Sequence, residues 1–145
     1  MDYVNAFQIS ASGMVAEKTR LEAIALNLAN AKTIQTESGG PYKPLKVITS
    51  ERTGKPFDTY LGSIGYNSRS MGVDVVSVKQ VNSPPRMMYE PGHPNADKKG
   101  FVAYPNINSV SEMVSLIEAV RGYEANVRAL NVAKSMALKA LEIGR

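Results

Sequence analysis

Apolar residues in the last third of the chain recur in alternating steps of four and three. Leu116, Val120, Tyr123, Val127, Leu130, Ala137 and Leu141 follow that rhythm, with Lys134 filling the slot between Leu130 and Ala137. Such a narrow stripe belongs to a helix that packs along another helix, and it predicts a helix over residues 109–143. Ser109-Val110-Ser111-Glu112 reads as a capping box at its start: the serine oxygen accepts a backbone N–H and the glutamate reaches back to the cap. No proline interrupts the stretch, and Gly144 sits just past its end. About 35 helical residues span on the order of 50 Å. A helix of that length with one narrow stripe needs a partner.

Residues 2–31 predict a second helix. Phe7, Met14, Leu21 and Leu28 recur every seven residues, and Ser10, Ala11, Ile24 and Ala25 fill neighbouring positions. Asp2 and Asn5 are candidate N-caps. The Ser12-Gly13 pair is a weak point where a helix can kink. The middle of the chain has a different character. All eight prolines and eight of the eleven glycines lie within residues 32–108, which excludes long helices there. Short strands are predicted at 45–49, 71–81, 87–89 and 101–104. The strongest is 71–81, with Val73, Val75, Val76, Val78 and Val81; its alternation slips between Val75 and Val76, which predicts a β-bulge. Pro84-Pro85 makes an extended connector. Residues 53–72 are turn-rich with scattered apolar positions, and flexibility is expected there.

The two seams can pair with each other in antiparallel fashion, with other copies, or both. The fold expected is α+β. Long N- and C-terminal helices pair as an antiparallel coiled coil, with a small β-rich domain inserted between them. The expected divisions are 1–31, 32–108 and 109–145.

Composition changes this picture little. At 145 residues the chain is long enough for one domain with a real core, and 43% apolar and 21% charged residues are ordinary globular values. The net charge is +4, concentrated in residues 31–108, where ten basic residues face six acidic ones. No basic runs or interleaved aromatics accompany it, which argues against nucleic acid as a partner. Cysteine is absent, so disulfides and thiolate metal sites are excluded. Residues 1–3 carry neither a basic n-region nor an apolar h-region, so no cleaved signal peptide is expected. No 18-residue apolar run is present for a membrane helix.

Candidate chemistry is sparse. The single histidine, His93, lies in Glu90-Pro91-Gly92-His93-Pro94-Asn95 and reads as part of a shaped turn. One histidine with one nearby acid is far short of a metal set. Gly39-Gly40-Pro41-Tyr42-Lys43 lacks the Gly-Lys-Ser/Thr of a phosphate loop and reads as a tight turn. No carboxylate pair stands out for acid–base work. No enzyme, cofactor, metal or small-molecule ligand is expected. Gly122 costs about 1 kcal/mol relative to alanine in a helix interior, and close approach by a neighbouring backbone is the expected return. Asn30 is a candidate left-handed helix cap; Asn27 needs a further reason.

The residues Asn27-Leu28-Ala29-Asn30-Ala31-Lys32-Thr33 resemble the Asn-x-Ala-Asn-x-x-Thr signature of bacterial flagellar rod and hook proteins. Ile9-Ser10-Ala11-Ser12-Gly13-Met14 resembles the segment that precedes it. Glu112-Met113-Val114 and Arg121-Gly122-Tyr123-Glu124-Ala125-Asn126 resemble the family's C-terminal helix motif, with glycine in place of the usual alanine after the arginine. Gly39-Gly40-Pro41-Tyr42, Tyr89-Glu90-Pro91-Gly92-His93-Pro94 and the short length are similar to the C-type proximal rod members. The motif residues are thus Asn27, Asn30, Thr33, Glu112, Arg121, Tyr123, Glu124 and Asn126.

The resemblance implies a structural subunit of the axial drive shaft that crosses the periplasm, exported by the flagellar type III apparatus without a cleaved signal. Its terminal helices would form an inner tube and its insert an outer domain. The partners implied are copies of itself, other proximal and distal rod proteins, the basal-body adaptor at the export-gate and MS-ring end, and the export apparatus. The helix-packing residues expected are Phe7, Met14, Leu21, Ile24 and Leu28 on the first helix. On the second they are Leu116, Val120, Tyr123, Val127, Leu130 and Leu141. The alternatives are a soluble coiled-coil adaptor, another rod protein, and a small enzyme using His93.

Overall fold

The computed structural model describes residues 3–37, 39–53 and 70–143. The described elements run α1 (Tyr3–Ala29), β1 (Leu45–Thr53), β2 (Ser70–Gln80), β3 (Arg86–Tyr89), β4 (Phe101–Tyr104) and α2 (Ser109–Ile143). This is an α+β chain: a helix at each end and two small antiparallel sheets, β1-β2 and β3-β4, between them. No helix is long and apolar enough to cross a membrane among the described residues. The stretch expected to be flexible, 53–72, lies largely outside the described residues. Its two edges are strand, since β1 runs to Thr53 and β2 starts at Ser70.

The valine slip in β2 has a structural cause. Val47 pairs with Val78 and Ile48 with Ser77, but Thr49 pairs with Val75, so Val76 is the extra residue of a bulge. Further along the same ladder Arg52 binds Asp74, with the guanidinium Nε 2.8 Å from Oδ1. That hydrogen bond holds the exposed Asp74 carboxyl below the usual carboxylate range. Gly39 and Gly40 both have φ near +80°, and Thr36 N–H donates to Gly40 O across 3.0 Å, so the glycine pair is the tight turn its sequence implies. His93 closes another turn: Asn95 N–H donates to His93 Nδ1 at 3.1 Å.

The two helices meet in antiparallel sense. Gly13 abuts Asn126, Glu17 abuts Gly122, and Asn27 donates to Glu112 at 3.4 Å. Each step forward on α1 is matched by an equal step back on α2. Small side chains line this contact. Ala119 is fully buried, and Ala16 and Ala23 are buried on α1 beside Ile24. The neighbour of Gly122 is not backbone, as expected, but the Glu17 side chain: a Cβ at 122 would lie 3.2 Å from Glu17 Cδ. The helix α1 is continuous through Ser12-Gly13. A second small core forms around Val102, Pro105 and Ile107, where β4 leads into α2.

The start of α2 differs from the expected capping box. The cap is Asn108, whose Oδ1 accepts the N–H groups of Val110 at 3.0 Å and Ser111 at 3.3 Å. Glu112 turns away from the cap toward Asn27. A carboxamide one residue upstream satisfies the free N–H groups and releases the glutamate for a long-range contact. Replacing Asn108 by Ala is therefore expected to cost about 1 kcal/mol in urea unfolding. Ser109→Ala should stay within about 0.5 kcal/mol of the parent. A larger loss for Ser109→Ala than for Asn108→Ala would contradict this cap.

Candidate functional site

Asn27 of the first motif and Glu112 of the second meet in one polar joint, while Arg121, Tyr123, Glu124 and Asn126 lie away from it. Asn27 lies in the last turn of α1 and is 2% exposed. Its Nδ2 donates to Leu45 O at 3.0 Å, and its Oδ1 accepts Leu45 N–H at 2.8 Å. The amide thus pairs with the strand backbone as a neighbouring peptide would. Oδ1 also accepts the Tyr42 hydroxyl at 3.2 Å, and Nδ2 reaches Glu112 Oε2. One side chain joins α1, the turn before β1, β1 itself and α2. Burial, and then the nearby Glu112 carboxylate, push the Tyr42 phenol above its ordinary range, so it stays a proton donor at neutral pH.

Asn30 and Thr33 stop the helix and turn the chain toward this joint. Asn30 Nδ2 donates to Leu26 O at 2.9 Å, and Thr33 Oγ1 donates to Asn30 Oδ1 at 3.2 Å. Tyr42 N–H then donates to Thr33 O at 3.0 Å, bringing the tyrosine back beside Asn27. Asn30 is not the left-handed cap expected of it, since among the described residues only glycines have positive φ; its side chain instead bonds the last turn of α1. The first motif thus supplies one amide for the joint, one for the helix end and one hydroxyl for the turn. Sequence reading had no partner for Asn27; Leu45 and Tyr42 supply it.

Higher up the helices Ser12 plays a related part. Its hydroxyl donates to Ile9 O at 2.8 Å and accepts Val73 N–H at 3.0 Å, tying β2 to α1. Asn126 bonds Gly122 O at 2.9 Å and fills the space that Gly13 leaves. Glu124 and Arg128 form an exposed ion pair at 3.1 Å. Arg121 is exposed.

Of the residues expected to pack between helices, Ile24 is buried, while Phe7, Met14, Leu21 and Leu28 are half-buried on α1. On α2, Leu116, Val120, Val127 and Leu130 are half-buried, Tyr123 is 38% exposed and Leu141 is 71% exposed. The row that faces α1 is instead Glu112, Ala119, Asn126 and Ala133, which recur every seven positions and are each buried or half-buried; Glu112 and Asn126 were expected as motif residues, Ala119 and Ala133 not at all. Their period was visible; their small or polar character hid it among larger apolar neighbours. Much apolar surface therefore stays open along α2. Val110, Met113, Ile117, Val132, Met136 and Leu141 are each more than half exposed.

The joint offers no reactive chemistry. Among the described residues no group of histidine and acids could hold a metal. Its amide, phenol and carboxylate bind one another and the Leu45 backbone.

Residues 98–143 match the family model described as flagellar basal body rod FlgEFG protein C-terminal. The chain is 36% identical to the flagellar basal-body rod protein FlgC of Borreliella burgdorferi, over 99% of this chain and 98% of that one. It is 37% identical to the protein of that name from Escherichia coli O6:H1 and 34% identical to that of Bacillus subtilis, in each case over the full length of both chains. The chain belongs to the FlgC family. It is a structural protein of the flagellar basal-body rod and not an enzyme. In this FlgC-family chain the two terminal helices are joined by the contact of Asn27 with Glu112. The model's match, by contrast, covers only α2 and the residues that lead into it.

Proposed function

We propose that the chain is a subunit of the proximal rod, polymerising through its terminal helices into the axial shaft that transmits torque. Residues 1–31 and 109–145 form an inner-tube domain, an antiparallel coiled coil, and residues 32–108 an outer domain. The observation that carries this reading is the open apolar surface of α2. Val110, Met113, Val114 and Ile117 at the start of α2, and Val132, Met136, Leu138 and Leu141 toward its end, are each more than half exposed, and open apolar surface of that extent is costly in water and marks an interaction surface. Copies of the chain and the other rod proteins cover it, in a head-to-tail contact that does not close. The adaptor at the base of the rod and the type III export apparatus are its further partners.

Phe7, Met14, Leu21, Ile24 and Leu28 act with Leu116, Val120, Tyr123, Val127 and Leu130, within or between subunits. Burying one such side chain contributes about 1.5–3 kcal/mol, and a charge in its place is unpaired. Replacing Val127 by Asp is expected to abolish incorporation into basal bodies, and with it swimming, while the chain is still exported. Normal swimming by that variant would refute the helix-packing assignment.

A further inference from the structure

The loop between β3 and β4 is a run of tight turns. Glu90 O accepts His93 N–H at 3.1 Å, with Pro91 and Gly92 between them. His93 O then accepts Ala96 N–H at 3.0 Å across Pro94 and Asn95, and Asp97 O accepts Gly100 N–H at 2.9 Å across Lys98 and Lys99. The last two turns are closed in the same way. Asp97 Oδ1 accepts the N–H of Lys99, two residues on, at 2.8 Å. His93 Nδ1 accepts the N–H of Asn95, two residues on, at 3.1 Å. The first position of such a turn ordinarily holds Asp, Asn or Ser, because a side-chain oxygen there can take that N–H. His93 fills the role of that oxygen with a nitrogen.

The exchange of oxygen for nitrogen has a chemical consequence. An imidazole nitrogen accepts a hydrogen bond only through its lone pair, so Nδ1 must be bare and the proton of the neutral ring sits on Nε2. A charged imidazole carries a proton on both nitrogens and cannot accept. Imidazole is the side chain whose charge ordinarily changes between about pH 5 and 8, whereas a carboxylate ordinarily stays charged through that range. The charged groups around the loop have other partners or none. Glu90 takes the Tyr104 hydroxyl at 3.0 Å, Asp97 takes the N–H groups of Lys99 and Phe101, and Lys98 and Lys99 are exposed. Arg86 sits at the far end of β3. Residues 34–41, which meet the loop, carry the exposed Glu37. Among the described residues no hydrogen bond or ion pair joins any of these side chains to the imidazole.

Asn95 also ties the loop to the rest of the chain. Its Nδ2 donates to Gln35 Oε1 at 3.4 Å, and the two residues line a cleft of about 380 Å³ with Ile34, Pro41, Val102 and Ala103. We propose that His93 is a pH-sensitive latch: the neutral ring closes the 93–96 turn and holds Asn95 against Gln35, and protonation at Nδ1 opens the turn and releases Asn95 from residues 34–41. The bond exists only for the neutral ring, so the turn is closed above the titration of the histidine and opens as pH falls through it. The turn closed by Asp97 stays shut over the same range. The latch belongs to the single folded chain and does not depend on its place in a rod.

Nuclear magnetic resonance of the full chain, labelled with nitrogen-15, tests this between about pH 8 and pH 5. At the upper end the His93 ring is expected to carry its proton on Nε2, and the Asn95 amide to be protected from hydrogen exchange. Measured against an unstructured peptide at the same pH, that protection should fall about three- to tenfold as the ring is protonated, which corresponds to one lost hydrogen bond. The Lys99 amide should keep its protection. His93→Asn supplies a side-chain oxygen at the same place, so it should keep the Asn95 protection at both ends and abolish its pH dependence. His93→Ala should lack that protection at both ends. An Asn95 amide unprotected at the upper end, or a ring proton on Nδ1 there, would overturn the latch. So would Asn95 protection that ignores protonation of the ring, that follows pH equally in His93→Asn, or that survives in His93→Ala.

Discussion

Asn27→Ala is expected to destabilise the folded chain by about 2–4 kcal/mol. Alanine leaves the Leu45 N–H and C=O without the partners they have at 2.8 and 3.0 Å, and each buried backbone group without a partner costs about 1–3 kcal/mol. Total stabilities of about 5–15 kcal/mol make this a large share. Asn27→Asp separates the parts of the joint. It keeps an acceptor for Leu45 N–H and Tyr42, loses the donor, and sets a second carboxylate beside Glu112, to which Nδ2 now donates at 3.4 Å. Like charges at that range raise the pKa of one acid in the folded state. A raised folded pKa stabilises at low pH and is lost as pH rises through it. The Asn27→Asp penalty should therefore be larger at pH 7 than at pH 4. Urea unfolding followed by circular dichroism at both pH values measures it. A pH-independent penalty, or an Asn27→Ala loss below about 0.5 kcal/mol, would show that the joint carries little.

Gly72→Ala is the second large effect. Gly72 has φ +115°, where an L-residue is strained by about 1–3 kcal/mol. A Cβ there would also run into the Ser12 hydroxyl and lie 3.3 Å from the backbone Cα of Ile9. We expect a loss of about 3 kcal/mol or more, with β2 displaced from α1. Ser12→Ala alone removes the bond to Val73 N–H and should cost about 1 kcal/mol. In the double variant the hydroxyl clash is gone and the backbone strain remains. The combined loss should be smaller than the two single losses added together, a coupling that a double-mutant cycle reads directly. Simple additivity would mean that Gly72 and Ser12 do not meet.

Both predictions turn on residues that the chain's patterning marks unevenly. Long helices were legible because their signals are local: a period near three and a half, a lack of proline, a change of composition at residues 32 and 108. The bulge at Val76 was legible for the same reason, since one surplus valine breaks a two-residue alternation. Gly39-Gly40 and His93 were read as turns, and turns they are. The cap of α2 was misplaced by one residue because Asn108 and Ser109 are both good caps, and Glu112 supports the serine only if it reaches back.

By itself, the sequence determined that this chain has a helix at each end, strands between proline- and glycine-marked breaks, and the motifs of a flagellar rod family. Periodicity and punctuation record what each segment does with its own neighbours, and those are short-range matters. Which face of α2 meets α1 was decided only in the tertiary structure. Ala119 and Asn126 lie inward there because close approach of two helices selects small side chains over large ones, while Leu141 stays in water because it lies beyond the start of α1 at Tyr3. The purpose of Asn27 was decided there too, since a buried amide takes its meaning from a strand backbone 18 residues away and a carboxylate 85 residues away, partners that no local pattern can name.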